Sequence, residues 1–383
     1  MAWIRGKPLA AVAVAAAAIG AAVLGVVGLT GDDGPAAPAP VPAANIKPLS
    51  QSVSVGVSPQ TTLDARDYDK IQKAGADVVR IPMNWSHVQA EPGDCEPLPA
   101  HGVCNWVNLD AQVGNAAEAG ARIIPILSDV PGYIYRQTTR PPLNGEARAG
   151  WEDFVDAAVR RYGPDGEFWK TSFTNPPYEG EPHPIEEWQV WNEPNGKQYF
   201  YPEPSAKKYA YLVSLTADVI RAADPAAQVL LAGMFGTAEI PLKKFLREMY
   251  TVPGIEDGFD AIAVHPYSKN VHEVELQIKW ARQEAKRAGD DDVRVWVTEL
   301  GWGSGEGDHP LERGEAGQAK LLGRSFHVLG KHHRDWNVDG VIWFTWEDRI
   351  DDTVCQFCQS AGLFDYRGRS KQSYAAFQAV SGK

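Results

Sequence analysis

The segment Ile185-Glu186-Glu187-Trp188-Gln189-Val190-Trp191-Asn192-Glu193-Pro194 has the length and apolar flanks of a buried strand. It ends on an amide and a carboxyl. About a hundred residues later a second run of the same kind, Val293-Arg294-Val295-Trp296-Val297-Thr298-Glu299-Leu300-Gly301-Trp302, again carries a carboxyl at its end. Working outward, short apolar runs recur at Val53–Val57, Val78–Ile81, Arg122–Leu127, Glu186–Trp191, Val229–Ala232, Ala261–His265, Arg294–Glu299 and Val341–Trp346. Amphipathic stretches lie between them, at Tyr68–Ala74, Leu109–Ala119, Trp151–Tyr162, Ser205–Ala223, Leu242–Tyr250, His272–Ala288, Glu315–Leu329 and Ser373–Val380. Several begin at a capping residue and end near glycine, as in Lys286-Arg287-Ala288-Gly289. Strands that alternate with helices pair in parallel through crossovers, and eight such units close into a (β/α)8 barrel. A doubly wound open sheet is the competing α/β architecture. It usually carries a glycine-rich phosphate loop after its first strand, and that position here reads Gly56-Val57-Ser58-Pro59.

A barrel of this type works at the C-terminal ends of its strands. The residues expected there are Arg80, Asn192, Glu193, His265, Tyr267, Glu299, Trp302, Trp346 and Glu347. Two carboxyls converging from the fourth and seventh strands have the equipment for cleaving a glycosidic bond: a general acid and a nucleophile. Glu193 suits the acid if burial and a nearby negative charge raise its pKa. Glu299 suits the nucleophile if it stays ionised, with Arg80 and Tyr267 as its hydrogen-bond donors. Asn192 is placed to donate to the 2-hydroxyl beside the reacting carbon. His265 is assigned to supporting substrate or carboxylate, Trp346 to a floor under the reacting sugar, and Trp302 to a weaker subsite contact. Each has a plainer competing reading: a capping Asn-Glu-Pro turn for Glu193, a structural ion pair for Arg80, ordinary packing for Trp346.

Taken together, Arg80, the Trp191–Pro194 motif, His265-Pro266-Tyr267, Thr298-Glu299-Leu300-Gly301-Trp302 and Trp346 resemble the clan A retaining glycoside hydrolases. The segment Ala76–Gly93 is similar to the second strand and loop of families 39 and 5, as is the ending Gly362–Lys371. The resemblance covers the chain from about residue 50 onward. It implies Glu193 as acid/base and Glu299 as nucleophile. At the third strand, Ile126-Leu127-Ser128-Asp129-Val130-Pro131 lacks the His-Asn of many family 5 members, which favours a family 39-like or unassigned member.

Length and composition fit one large domain over residues 49–383, since the 383 residues are 44% hydrophobic. The formal charge of −12 argues against nucleic acid as a partner, since phosphate binding needs clustered Lys and Arg. No cofactor or metal is called for: there is no His-x-His pair at the first strand, and His265 with Glu299 is not a ligand set. Ahead of the barrel, Arg5 and Lys7 precede an uncharged run from Pro8 to Thr30. Residues 1–30 therefore read as a signal peptide or signal anchor that places the rest of the chain outside the cytosol. The run's length favours an uncleaved membrane anchor, whereas Ala37-Pro38-Ala39 keeps cleavage open. Residues 31–48, rich in Pro and Ala, read as a semi-rigid tether. In an oxidising compartment the four cysteines favour local disulfides, Cys95 with Cys104 and Cys355 with Cys358, over a zinc or redox reading of Cys355-Gln356-Phe357-Cys358.

The expectation is thus an exported glycosidase acting on a carbohydrate. A non-catalytic carbohydrate-binding barrel and a transglycosylase using the same two carboxyls are the alternatives. The loops Glu91–Trp106, Gln137–Ala149, Thr171–Pro184 and Gly303–Glu312 are expected to shape its cleft.

Overall fold

A computed structural model of the chain describes residues 48–49, 52–98, 102–174, 178–350, 352 and 355–382. The segments expected as signal and tether lie outside these, Pro48 excepted. Among the described residues no helix is long and apolar enough to cross a membrane.

The fold is a closed parallel barrel. Its strands are β1 (Ser54–Val57), β2 (Val78–Asn84), β3 (Arg122–Ser128), β4 (Glu187–Val190), β5 (Gln228–Leu231), β6 (Met234–Phe235), β7 (Ala261–His265), β8 (Arg294–Leu300) and β9 (Val338–Trp343). They run in the order β5-β4-β3-β2-β1-β9-β8-β7-β6, and β5 closes on β7 at Leu230 opposite Ala261. The two-residue β6 sits above β5 and pairs Met234 with Val264, completing the seam where β5 stops. The expected seventh and eighth strands are thus β8 and β9.

Local chemistry explains the helices between them. The helix Ala65–Ala74 starts on a reciprocal cap, Asp64 accepting from the Asp67 backbone and Asp67 from that of Asp64. It stops at Gly75, which takes the left-handed φ of 76°. Helix Val271–Ala288 is capped by Asn270 and ends at Gly289 with φ 84°. The longer helices Gly145–Tyr162, Ala206–Ala223, Val271–Ala288 and Gly314–Lys331 bury one face against the strands, with Val155, Val213, Ile278 and Leu322 fully enclosed.

Inside the barrel a small apolar layer comprises Val78, Ile124, Leu230, Ala261, Ala263, Trp296 and Ile342. Trp296 fits because Gly340 faces it: a methyl there would lie 2.1 Å from the ring. Above this plug the inward side chains become polar, with Arg80, Gln189, His265 and Thr298 buried. The apolar plug is the floor of the site.

The last strand differs from expectation. It ends at Trp343, three residues before Trp346, because the chain then pairs elsewhere. Leu363 N–H donates to the Thr345 carbonyl and Phe364 N–H to that of Trp346. Both expected disulfides are formed, Cys95–Cys104 and Cys355–Cys358.

Candidate active site

Five strand ends supply the polar cluster at the C-terminal mouth. Beyond β4 the backbone is held in the left-handed region at two non-glycine residues, Trp191 (φ 73°) and Glu193 (φ 44°). Such conformations cost about 1–3 kcal/mol each and persist only when surrounding bonds impose them. Here those bonds are visible. Trp191 N–H donates to the Leu127 carbonyl, its indole N–H donates to the Tyr199 carbonyl at 2.6 Å, and Glu193 N–H donates to the Gly233 carbonyl. The result aims the Glu193 carboxyl inward.

There it lies 2.7 Å from His265 Nδ1, and His265 Nε2 is 3.1 Å from Thr298 Oγ1. The imidazole is fully enclosed. It has that space because residue 233 is glycine: a methyl would sit 1.9 Å from Nε2. Glu299, at the end of β8, accepts from Arg80 Nη1 at 2.6 Å and from the Tyr267 hydroxyl at 2.8 Å. Arg80 is buried and fully engaged. Its Nε donates to Gln189 Oε1, Nη1 also to Ser58 Oγ, and Nη2 to Asn192 Oδ1 at 2.8 Å. Asn192 thereby turns its oxygen inward and keeps its NH2 for a ligand.

This asymmetry separates the two carboxyls chemically. Burial pushes the Glu193 pKa up, and the Glu299 charge adds to that against the opposing effect of His265 and Arg80. Glu299 suffers the same burial, but His265, Arg80 and Tyr267 outweigh it and hold its carboxyl below the usual range. Burial and the neighbouring Glu299 push the Tyr267 phenol well up, so it stays a proton donor. An oxygen of each carboxyl and a ring nitrogen of His265 all lie within 4.8 Å of one another. That trio has metal-binding atom types, but the Arg80 cation already balances Glu299 at 2.6 Å. The set fits proton transfer and nucleophilic attack better than a second cation.

The pair opens into a cavity of about 580 Å³ lined by Arg80, Asn192, Glu193, Tyr199, Tyr267, Glu299 and Phe344, among others. A family model described as "Glycosyl hydrolase catalytic core" matches residues 168–377, more than half of the chain. The chain belongs to the glycosyl hydrolase catalytic core family. No curated protein matches it by sequence. Among solved structures it is similar to a family 39 glycoside hydrolase of Bacteroides cellulosilyticus, with 21% identity, a TM-score of 0.61 and coverage of 87% of this chain and 64% of that one. A family 39 β-xylosidase of Caulobacter crescentus gives 18% identity, a TM-score of 0.61 and coverage of 87% and 71%. A family 5 enzyme of Streptomyces cattleya, solved with Manβ1-4GlcNAc, gives 16%, 0.59, 85% and 79%. The chain spans just under two thirds of the first of these, and at such identities the likeness is one of fold. The families are those the sequence resembled.

Within this glycosyl hydrolase core, six of the nine expected side chains gather at the mouth: Arg80, Asn192, Glu193, His265, Tyr267 and Glu299; Glu347, bridged to Phe364 after β9, does not line the cavity. His265 reaches carboxyl and hydroxyl groups from behind and does not line the cavity. Two expectations are corrected. Trp346 is buried away from the cavity, packed on Phe364 at 4.8 Å, with its indole N–H directed to Asp67 Oδ1. Because β9 ends early, Phe344 takes the wall, edge-on to Tyr267 at 6.2 Å. Trp302 is fully buried too; it donates to the Ser268 carbonyl and packs on Trp343. It ties the loop after β7 to the loop after β8 and contacts no ligand space.

The cleft loops also differ. Among the described residues, none of the four expected loops lines the central cavity; Asn105 and His309 reach only the cavities beside it, whereas the segment after β9, with Arg349, Cys355, Phe357 and Cys358, lines it directly. Ser58, Gln189 and Thr298 had no sequence signal beyond their place at or near inward-facing strand ends. Phe235 and Phe357 had only their aromatic character as a signal, a cue that many core aromatics share.

Proposed function

We propose that the chain is a retaining O-glycoside hydrolase acting on an extracellular or cell-wall polysaccharide or oligosaccharide. The observation that carries this reading is the pair Glu193 and Glu299: oxygens within 4.8 Å and pKa values moved in opposite directions. Retaining enzymes keep their carboxyls about 5–5.5 Å apart, whereas inverting ones need about 6.5–9.5 Å to admit a water. In the first step Glu299 attacks the anomeric carbon while Glu193 gives its proton to the departing oxygen. The glycosidic bond breaks and a glycosyl ester forms. In the second step Glu193, now a carboxylate, takes a proton from water as that water attacks the same carbon and expels Glu299. Loss of the Glu299 charge during the first step removes a repulsion on the Glu193 carboxylate, which lowers its pKa as it becomes the base. The Asn192 NH2 holds the 2-hydroxyl, a contact that strengthens in the transition state.

Export rests on the uncharged run Pro8–Thr30 behind two cations, and on two disulfides, which persist in oxidising compartments. Anchoring through that run is the favoured form over release, and intact-mass analysis of the exported species decides between them. Retention of both carboxyls in a complete network favours catalysis over a purely binding barrel. Transglycosylation uses the same first step and differs only in the acceptor.

The test is hydrolysis of a panel of activated aryl glycosides with product configuration followed by proton NMR. The expected result is net retention, loss of turnover in Glu299→Gln, and recovery of Glu193→Ala by azide with a glycosyl azide as product. Inversion of configuration, or turnover that survives Glu299→Gln, overturns the reading.

A further inference from the structure

The catalytic cavity does not stand alone. A second cavity, of about 370 Å³, lies over the ends of β1 and β2 and shares Pro59, Gln60 and Pro82 with the first. A third, of about 310 Å³, adjoins it on the opposite flank. It shares Glu193, Gln198, Tyr199, Phe235, Cys355 and Phe357 with the first and includes neither Glu299 nor Arg80. A general acid faces the leaving group, so the flank beside Glu193 is the leaving-group side. The second cavity is then on the glycone side, beyond the sugar that reacts.

We propose that this second cavity binds a further neutral sugar unit on the non-reducing side of the cut, so that the enzyme cleaves inside a neutral glycan chain. The inference rests on the retaining-hydrolase reading above and adds to it the substrate class and the place of attack. An enzyme that trims chain ends has a blind wall at this place. Here there is instead a space within the roughly 300–1,000 Å³ range of ligand pockets.

The lining carries amides and hydroxyls, with Thr61, Thr62, Asn105 and Asn108 exposed, one histidine, His87, and no Asp, Glu, Lys or Arg. Anionic sugars are held by Arg or Lys, and nothing of that kind is present on this wall. Asn84 accepts from Ser128 Oγ at 2.7 Å, and its amide nitrogen makes no hydrogen bond among the described residues, which leaves it a donor toward the cavity. Ile81, Val88 and Leu109 supply apolar surface for the C–H face of a sugar ring. The floor is rigid before any ligand arrives. Gln112 accepts from Leu63 N–H and the Tyr68 hydroxyl and donates back to the Leu63 carbonyl. Gln60, shared by both cavities, donates to Asp352 Oδ2 at 3.0 Å and ties the β1 loop to the segment after β9 where the cavities meet.

The test uses the full chain, a set of aryl monoglycosides, and ladders of two to six units of neutral gluco-, xylo-, manno- and galacto-oligosaccharides with the reducing end labelled by 18O. On the preferred ladder, kcat/KM is expected to rise at least tenfold from two units to four, with internal bonds cut. In Asn108→Ala and Thr62→Val, both at exposed positions, the four-unit to two-unit ratio is expected to fall at least fivefold. Release of single units from the chain end at a rate independent of length overturns the inference, as does a ratio unchanged in both variants or a uronate ladder preferred over every neutral one. Aryl glycosides cleaved with retention beside a flat ladder sink this inference alone. No turnover of any substrate, with wild type and Glu299→Gln alike, sinks the hydrolase reading and this one with it.

Discussion

At the scale of single residues the site works by making two identical carboxyls unlike. Burial alone would raise both, and His265 lowers both; the two donors on Glu299, Arg80 and Tyr267, decide the difference. The pH dependence follows. In the proposed reaction turnover needs Glu299 ionised and Glu193 protonated, so kcat/KM should be bell-shaped, with Glu299 setting the acidic limb and Glu193 the basic one. Tyr267→Phe removes the hydroxyl that donates to Glu299 Oε2, so the Glu299 pKa rises and the acidic limb moves to higher pH. A hydrogen bond to a charged group contributes about 1.5–3 kcal/mol, so on the acidic limb kcat/KM should fall roughly 10- to 100-fold. A profile whose acidic limb stays put in the variant removes Tyr267 from this role. The same physics makes Glu193 a cost to folding. Its pKa is raised in the folded state, so the fold binds the proton more tightly than the unfolded chain does, and stability is lost as pH climbs through and above the unfolded value. Glu193→Gln should therefore raise the thermal midpoint at pH 7, with the gain vanishing near pH 4. A gain equal at both values would point to a cause other than the charge.

At the scale of elements, the positions of functional side chains depend on where strands stop. The β4 end is forced into two left-handed residues by bonds from β3, the β5 end and the following loop. The β5 end contributes by what it lacks. Gly233→Ala would drive a methyl into His265 Nε2, so the ring must move and lose its bond to Glu193 or to Thr298. The expected outcome is a loss of about 1–3 kcal/mol in stability, as in other overpacked cores, together with a basic limb moved to higher pH, because the displaced ring weakens the His265 contact that lowers the Glu193 pKa. Denaturant titration and a pH–rate profile of the same variant check both. Element existence was legible from the sequence, because a 3.6-residue apolar period and short apolar runs are local properties. The end of β9 was not. Val341–Trp346 is apolar and aromatic but for Thr345, a residue common in strands, so nothing local marks Trp343 as its last paired residue. Which aromatic lines the cavity, Phe344 or Trp346, follows from that boundary.

For the molecule as a whole, closure is the decisive event. Arg80 and Glu299 are 219 positions apart and meet at 2.6 Å only because β2 and β8 stand around one axis. The apolar plug beneath them holds that axis in register, with Trp296 as its largest member. Trp296→Ala should cost about 3–5 kcal/mol by leaving a cavity in the barrel interior. A loss below about 1 kcal/mol in equilibrium unfolding would show that the barrel collapses around the gap and that the plug is not the support described. Eight of the nine strands, the parallel class, the face that gathers the polar side chains and the two carboxyls on it could be read from the chain, since they depend on period, connection type and strand-end position; the two-residue β6 could not. So could the partnership of Arg80 and Tyr267 with Glu299, through residue type at neighbouring ends. Tertiary structure alone decided which indoles were buried, that Phe344 and the segment after β9 form the wall, and that a second cavity opens beside the first. The reason is the range of the interactions. Periodicity and capping act within a few residues, whereas the fate of an indole or a loop is set by what packs against it from the far side of the barrel.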